Sequence, residues 1–226
     1  MNRKAWLLIF LLVLAADIIC IWLKQPSLEH FFKPLIVPAL LTGFLITVRG
    51  IAARLSRWIV LALFFSWVGD VLLLFQDKKE LFFLLGLAAF LVAHVCYIIF
   101  FHQVRVRENI KSNLWLLVPV VVYYAALISW LSPYLGDKKL PVRIYGIVIS
   151  FMLMLALHML YLANKRAGRL IALGAFLFIA SDSILAVNKF YESFPLAGVL
   201  IILTYGLAQW LISLGASYYI REANTY

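Results

Sequence analysis

Apolar windows long enough to cross about 30 Å of hydrocarbon, which takes about 17 to 25 helical residues, recur along almost the whole chain. They run over 5–23, 34–48, 58–75, 81–101, 114–131, 141–161, 169–188 and 195–220. That gives eight spans, the second being the shortest. Hydrocarbon offers the backbone no hydrogen-bond partner, so a spanning segment must be a helix or part of a closed barrel. The windows lack the alternating pattern of barrel strands. The expected fold class is all-α, a polytopic transmembrane helical bundle.

Composition agrees, with 65% hydrophobic and only 13% charged residues against the roughly half-apolar make-up of soluble domains. The connections are short and charged, and none is a Gly/Ser-rich linker, so 1–226 is expected to be a single transmembrane domain. The first window follows Asn2-Arg3-Lys4 and could pass for a signal peptide. It carries Asp17 late and has no clear A-x-A site, so a retained helix is expected. Both cysteines, Cys20 and Cys96, fall inside spans and read as small buried apolar residues. Neither a disulfide framework nor a zinc spacing is present.

A formal charge of +10 raises nucleic acid as a partner, but the basic residues are scattered through all the connections and form no stripe. Topology accounts for them better. When loops are assigned alternately, one side holds Arg3, Lys4, Arg49, Arg54, Arg57, Arg105, Arg107, Lys111, Lys165, Arg166, Arg169 and Arg221, twelve of the 20 Lys and Arg. The bias of Lys and Arg toward the cytoplasm then places both termini there.

Against this apolar background the polar side chains inside spans stand out. An aspartate at a helix centre costs about 2.5 to 3.5 kcal/mol on the insertion scale, so Asp70 in SWVGDVLLLF and Asp182 in FLFIASDSILA are functional candidates. At 1.5 Å per residue, Asp17, Asp70 and Asp182 lie roughly 7 to 9 Å below the non-cytoplasmic surface, three carboxyls at one depth. Lys189, seven residues beyond Asp182, is on the same face of a regular helix and is its candidate counter-ion. His94 and His158 are each followed at i+3 by a tyrosine, Tyr97 and Tyr161, and both are expected toward the cytoplasmic side. Asp70 to His94 and His158 to Asp182 are equal intervals in reverse order, as an inverted repeat would produce. In the last span, Tyr205 and Gln209 are one turn apart, among small residues that permit close packing. Lys33 sits before Pro34, expected at the outer mouth of the second span, either as a snorkelling anchor or as a phosphate ligand.

Taken in order, FKPL with Lys33, GDVLLLF with Asp70, GLAAFLVAHVCYIIFF with Gly86, His94 and Tyr97, GAFLFIASDSILA with Gly174, Ser181 and Asp182, and TYGLAQWLI with Tyr205 and Gln209 resemble the YhhN-like lysoplasmalogenase family. The resemblance implies an integral-membrane hydrolase without a redox cofactor, in a bacterial inner membrane or the endoplasmic reticulum. Such an enzyme cleaves the vinyl ether of lysoplasmalogens with choline or ethanolamine head groups, releasing a fatty aldehyde and a glycerophospho head group. The motif aspartates fall on Asp70 and Asp182 as catalytic residues. Lys33, His94, Tyr97, Ser181, Tyr205 and Gln209 become candidate substrate contacts, and no metal ligand is carried over. Asp17 matches no motif.

The chemistry agrees with the residues read alone. Vinyl ethers hydrolyse by proton transfer to the β-carbon, giving an oxocarbenium ion that water captures. That needs one carboxylic acid and one carboxylate, a division that burial and mutual repulsion impose on neighbouring carboxyls. The scissile bond lies between head group and chain, at the depth where interfacial groups sit about 5 to 10 Å in. One rival from another class is a proton-coupled transporter with the aspartates and His/Tyr rungs as a relay. The other is a zinc amidase of the ceramidase type, which needs about three protein ligands.

Overall fold

The computed structural model describes residues 3–51 and 54–223; Asn2 and the side chains of Arg3 and Lys4, used in the charge argument, lie outside the described part. Among the described residues eight α-helices follow one another: α1 (Arg3–Trp22), α2 (Pro26–Thr47), α3 (Ser56–Leu73), α4 (Glu80–Arg107), α5 (Leu117–Leu131), α6 (Lys139–His158), α7 (Lys165–Ala186) and α8 (Ala197–Glu222). All eight, with their short 3-10 or π extensions, are long and apolar enough to cross a membrane, and no strand occurs among the described residues. The chain is a multi-pass integral membrane protein.

Packing sorts the helices into a centre and a rim. α3 packs along α4 and α7 along α8, with α6 against both α4 and α7. α5 lies outside α6 and buries only Val120 and Leu131, while Trp115 just before it is 80% exposed, as a residue of the interfacial aromatic belt would be. The α1–α2 hairpin closes the other flank against α3 and α8. Small residues set the closest approaches, because helices in lipid associate by van der Waals packing and not by exclusion of water. A Cβ on Gly174 would come within 2.9 Å of the Ala208 carbonyl oxygen and the Ile212 nitrogen of α8. On Gly69 it would come within 2.6 Å of the Phe90 ring of α4.

Several boundaries differ from the sequence reading, and two of the differences move candidate cations. α2 begins at Pro26, not at Pro34, since a proline in the first turn gives up no hydrogen bond. Lys33 is therefore inside the helix, where it pairs with Glu29 one turn earlier at 3.3 Å. Pro34 and Pro38 are both interior. The missing N–H of Pro38 leaves the carbonyl of Pro34 without its helical donor, and the indole Nε1 of Trp67 on α3 supplies the replacement at 3.0 Å. A costly proline thereby becomes a clamp between helices. At the far end of α7, residues Val187–Tyr191 form a π turn. The turn breaks the register that would put Lys189 beside Asp182, and the ammonium lies instead over the Phe83 ring, 5.3 Å from its centroid.

Candidate active site

Asp70 is one turn beyond Ser66 on α3, and Tyr205 is one turn before Gln209 on α8, so two helices offer matching rungs. The hydroxyl of Tyr205 donates to Asp70 Oδ2 at 2.7 Å. On the next rung, Gln209 Nε2 donates to Ser66 Oγ at 2.8 Å while its Oε1 accepts the hydroxyl of Tyr97 from α4 at 2.5 Å. All five side chains are buried. Buried polar groups cost free energy unless partnered, and each member here satisfies another.

Asp182 heads a second pairing. Its Oδ2 accepts the hydroxyl of Tyr145 from α6 at 2.5 Å, and His94 Nε2 stands 4.0 Å from the same oxygen. Both nitrogens of His94 are buried without a hydrogen-bond partner. Its ring is held edge-on between Tyr145 and Phe178, with centroids at 5.3 and 4.8 Å. His94 thus belongs with a carboxyl and not with the opposite side of the membrane. The depth reading failed because α4 runs on to Arg107, which puts His94 at mid-helix.

Phe178 also packs on Tyr205 and Tyr97, with centroids at 5.5 and 6.4 Å, and Phe90 on both Tyr205 and Phe178. Phe178 therefore touches the Asp70 pair through Tyr205 and the Asp182 pair through His94. Asp182, Asp17 and Lys33 are the charged side chains within electrostatic reach of Asp70. Asp17 is fully buried with both oxygens unpartnered. Two small cavities of about 50 and 60 Å³ share Val142, Tyr145, Asp182 and Ala186 in their walls. Drug-sized ligand pockets hold about 300 to 1,000 Å³, so a ligand of that size enters only if these walls part.

Other candidates fall elsewhere. Ser181 donates to the Ile201 carbonyl at 3.0 Å and staples α7 to α8. His158 ends α6, accepting from the Asn113 backbone N–H at 3.1 Å, while Asn113 Nδ2 donates to Tyr161 at 3.0 Å. The equal Asp–His intervals do not mark equivalent sites, since His94 meets Asp182 and His158 ties down a connection. Among the described residues no three His, Cys, Asp or Glu side chains converge as a metal site would need. Tyr145 escaped sequence reading, its one signal being a hydroxyl-bearing ring in an apolar span, which must find a partner when buried.

Eight membrane-crossing helices around a buried cluster of carboxyls, tyrosines and one histidine define a polytopic membrane protein with a polar centre. Residues 28–216 match the YhhN family, and the chain belongs to it. It is 33% identical over 165 residues to the lysoplasmalogenase of Mycobacterium bovis, a match covering 72% of this chain and 61% of that protein. To human lysoplasmalogenase TMEM86B it is 32% identical over 202 residues, 87% of this chain and 80% of the relative. To human lysoplasmalogenase TMEM86A it is 35% identical over 161 residues, covering 70% and 64%. The match thus spans about three fifths of the mycobacterial relative's length. No solved structure matches the chain.

Proposed function

We propose that this protein is a lysoplasmalogenase, hydrolysing the vinyl ether of alkenyl-glycerophospholipids with one chain. The observation that carries the reading is the pair of intramembrane aspartates, each held by a tyrosine hydroxyl and linked through the ring of Phe178, in a chain whose relatives bear that name.

Asp182 lines both small cavities, so it is assigned as the acid that gives its proton to the β-carbon of the vinyl ether. The π electrons of the double bond form the new C–H bond, and the α-carbon becomes an oxocarbenium ion. Asp70, more buried than Asp182 and held by Tyr205, offers the carboxylate that balances this charge and takes the proton of the attacking water. The hemiacetal then collapses: Asp70 gives the proton it took from water to the glycerol oxygen as the C–O bond breaks, the hydroxyl proton passes to the Asp182 carboxylate as the C=O bond forms, and aldehyde and glycerophospho alcohol leave with both carboxyls reset. The net change is addition of one water. Tyr145 and Tyr205 fix the carboxyl orientations, and His94 beside Asp182 is placed to return its proton. The two-carboxylate division parallels that of glycosidases, which also pass through oxocarbenium-like transition states.

The test is incubation of purified protein in detergent or proteoliposomes with a lysoplasmenyl lipid. Aldehyde release without any dependence on a pH gradient is expected. Gradient-driven solute uptake without aldehyde would favour the transporter, though that relay has lost its ladder, His94 standing beside Asp182 and His158 serving a connection.

A further inference from the structure

A third, much larger cavity lies away from the aspartates, at the end of the bundle where α1 begins and α8 ends. Its volume is about 560 Å³, within the range of true ligand pockets. It opens between the start of α1, the last turns of α2, the start of α7 and the second half of α8. The wall is hydrocarbon, with Phe10, Leu40, Phe44, Leu170 and Leu214 facing it.

Its polar groups are few and separated by depth. Arg166, exposed in the first turn of α7, stands at the rim over the Tyr218 ring at 4.6 Å. Ser213 lies five residues before Tyr218 on α8, roughly 7 Å deeper at 1.5 Å per residue. Thr47 and Ser217, which also line the cavity, spend their hydroxyls on carbonyls of their own helices. Ser213, 3% exposed, does not, and its hydroxyl has no partner. The Trp6 indole N–H, also in this wall, is likewise buried and unpartnered.

We propose that this cavity binds one bilayer phospholipid with an anionic head group, distinct from the hydrolysed substrate. The phosphate pairs with Arg166, one acyl chain fills the apolar wall, and its ester carbonyl accepts from Ser213. The spacing of cation, unpartnered donors and hydrocarbon follows the order of phosphate, ester and chain in a phospholipid. Charge complementarity selects the anion, since Lys165 and Arg169 flank Arg166 on the same first turns of α7. Bound there, the lipid braces the α1–α2 hairpin against α7 and α8.

Delipidated protein in neutral detergent, titrated with phosphatidylglycerol or phosphatidylcholine, tests this by native mass spectrometry and Tm. One phosphatidylglycerol should be retained per chain, and Tm should rise saturably with its concentration, as for any ligand that binds only the folded state. Arg166→Gln should weaken the apparent affinity about fivefold, the effect of one interfacial basic residue. Gly43→Leu, whose added Cβ would meet Trp6 at an ordinary 3.4 Å, fills the cavity and should abolish saturation. If that variant does not fold, Arg166→Gln, on an exposed side chain, keeps the test open. Equal response to both lipids with no effect of Arg166→Gln would overturn the proposal. So would displacement of phosphatidylglycerol by lysoplasmenyl lipid together with loss of turnover in Gly43→Leu, because the cavity would then serve the substrate.

Discussion

At the scale of the residue, the account rests on titratable protons. Asp70→Asn and Asp182→Asn keep side-chain volume but remove the proton that the chemistry moves, so each should lower aldehyde release by at least ~100-fold with expression retained. Near-normal turnover in either would make that aspartate structural. A hydrogen bond to a charged group is worth about 1.5–3 kcal/mol, so Tyr145→Phe should lower kcat/KM by about tenfold to a hundredfold through Asp182. For His94 the depth argument expects an indirect role and retained turnover in His94→Gln. Its position 4.0 Å from Asp182 reverses that expectation to a loss of at least about tenfold, with His158→Gln near wild type. Measuring kcat/KM for both variants decides between the readings. The aspartates were legible because a charge in an apolar run stands out in one dimension. The tyrosines that hold them were less so: Tyr205 was reached through its neighbour Gln209, and Tyr145 was missed, because a tyrosine in an apolar span looks the same whether its hydroxyl finds a carboxylate or a lipid head group.

Helices supply the alignment that the side chains need. The rungs Ser66/Asp70 and Gln209/Tyr205 meet only if α3 and α8 hold their register, and α8 is seated by α7. Gly174→Ala puts a methyl within 2.9 Å of α8 backbone, which cannot yield as a side-chain tip can. Overpacking of this kind costs about 1–3 kcal/mol, so the variant should lose several degrees of Tm in detergent and part of its activity. Unchanged Tm would mean that α7 and α8 are less tightly seated than described. Periodicity and length made eight helices legible in the sequence, but ends depended on local chemistry. Pro26 starts α2 earlier than hydropathy suggests, and the π turn at Val187–Tyr191 redirects Lys189, because neither an N1 proline nor a register slip leaves a hydropathic mark.

For the whole molecule, depth joins structure to function. The three intramembrane aspartates lie toward the same end of the bundle, and a vinyl ether lies between head group and chain, where such carboxyls would reach it without drawing the lipid out of its leaflet. The positive-inside bias predicts this end on the non-cytoplasmic face, and protease access to the α4–α5 connection from the cytoplasmic side alone is the expected outcome that checks it. The most direct test of the central claim is hydrolysis of a lysoplasmenyl lipid by the purified protein in deuterium oxide, with the aldehyde trapped at once and weighed by mass spectrometry. Proton transfer to the β-carbon predicts a fatty aldehyde carrying one deuterium on the carbon next to the carbonyl, absent in Asp70→Asn and Asp182→Asn. Aldehyde without that deuterium, or no aldehyde from the wild-type protein, would contradict it.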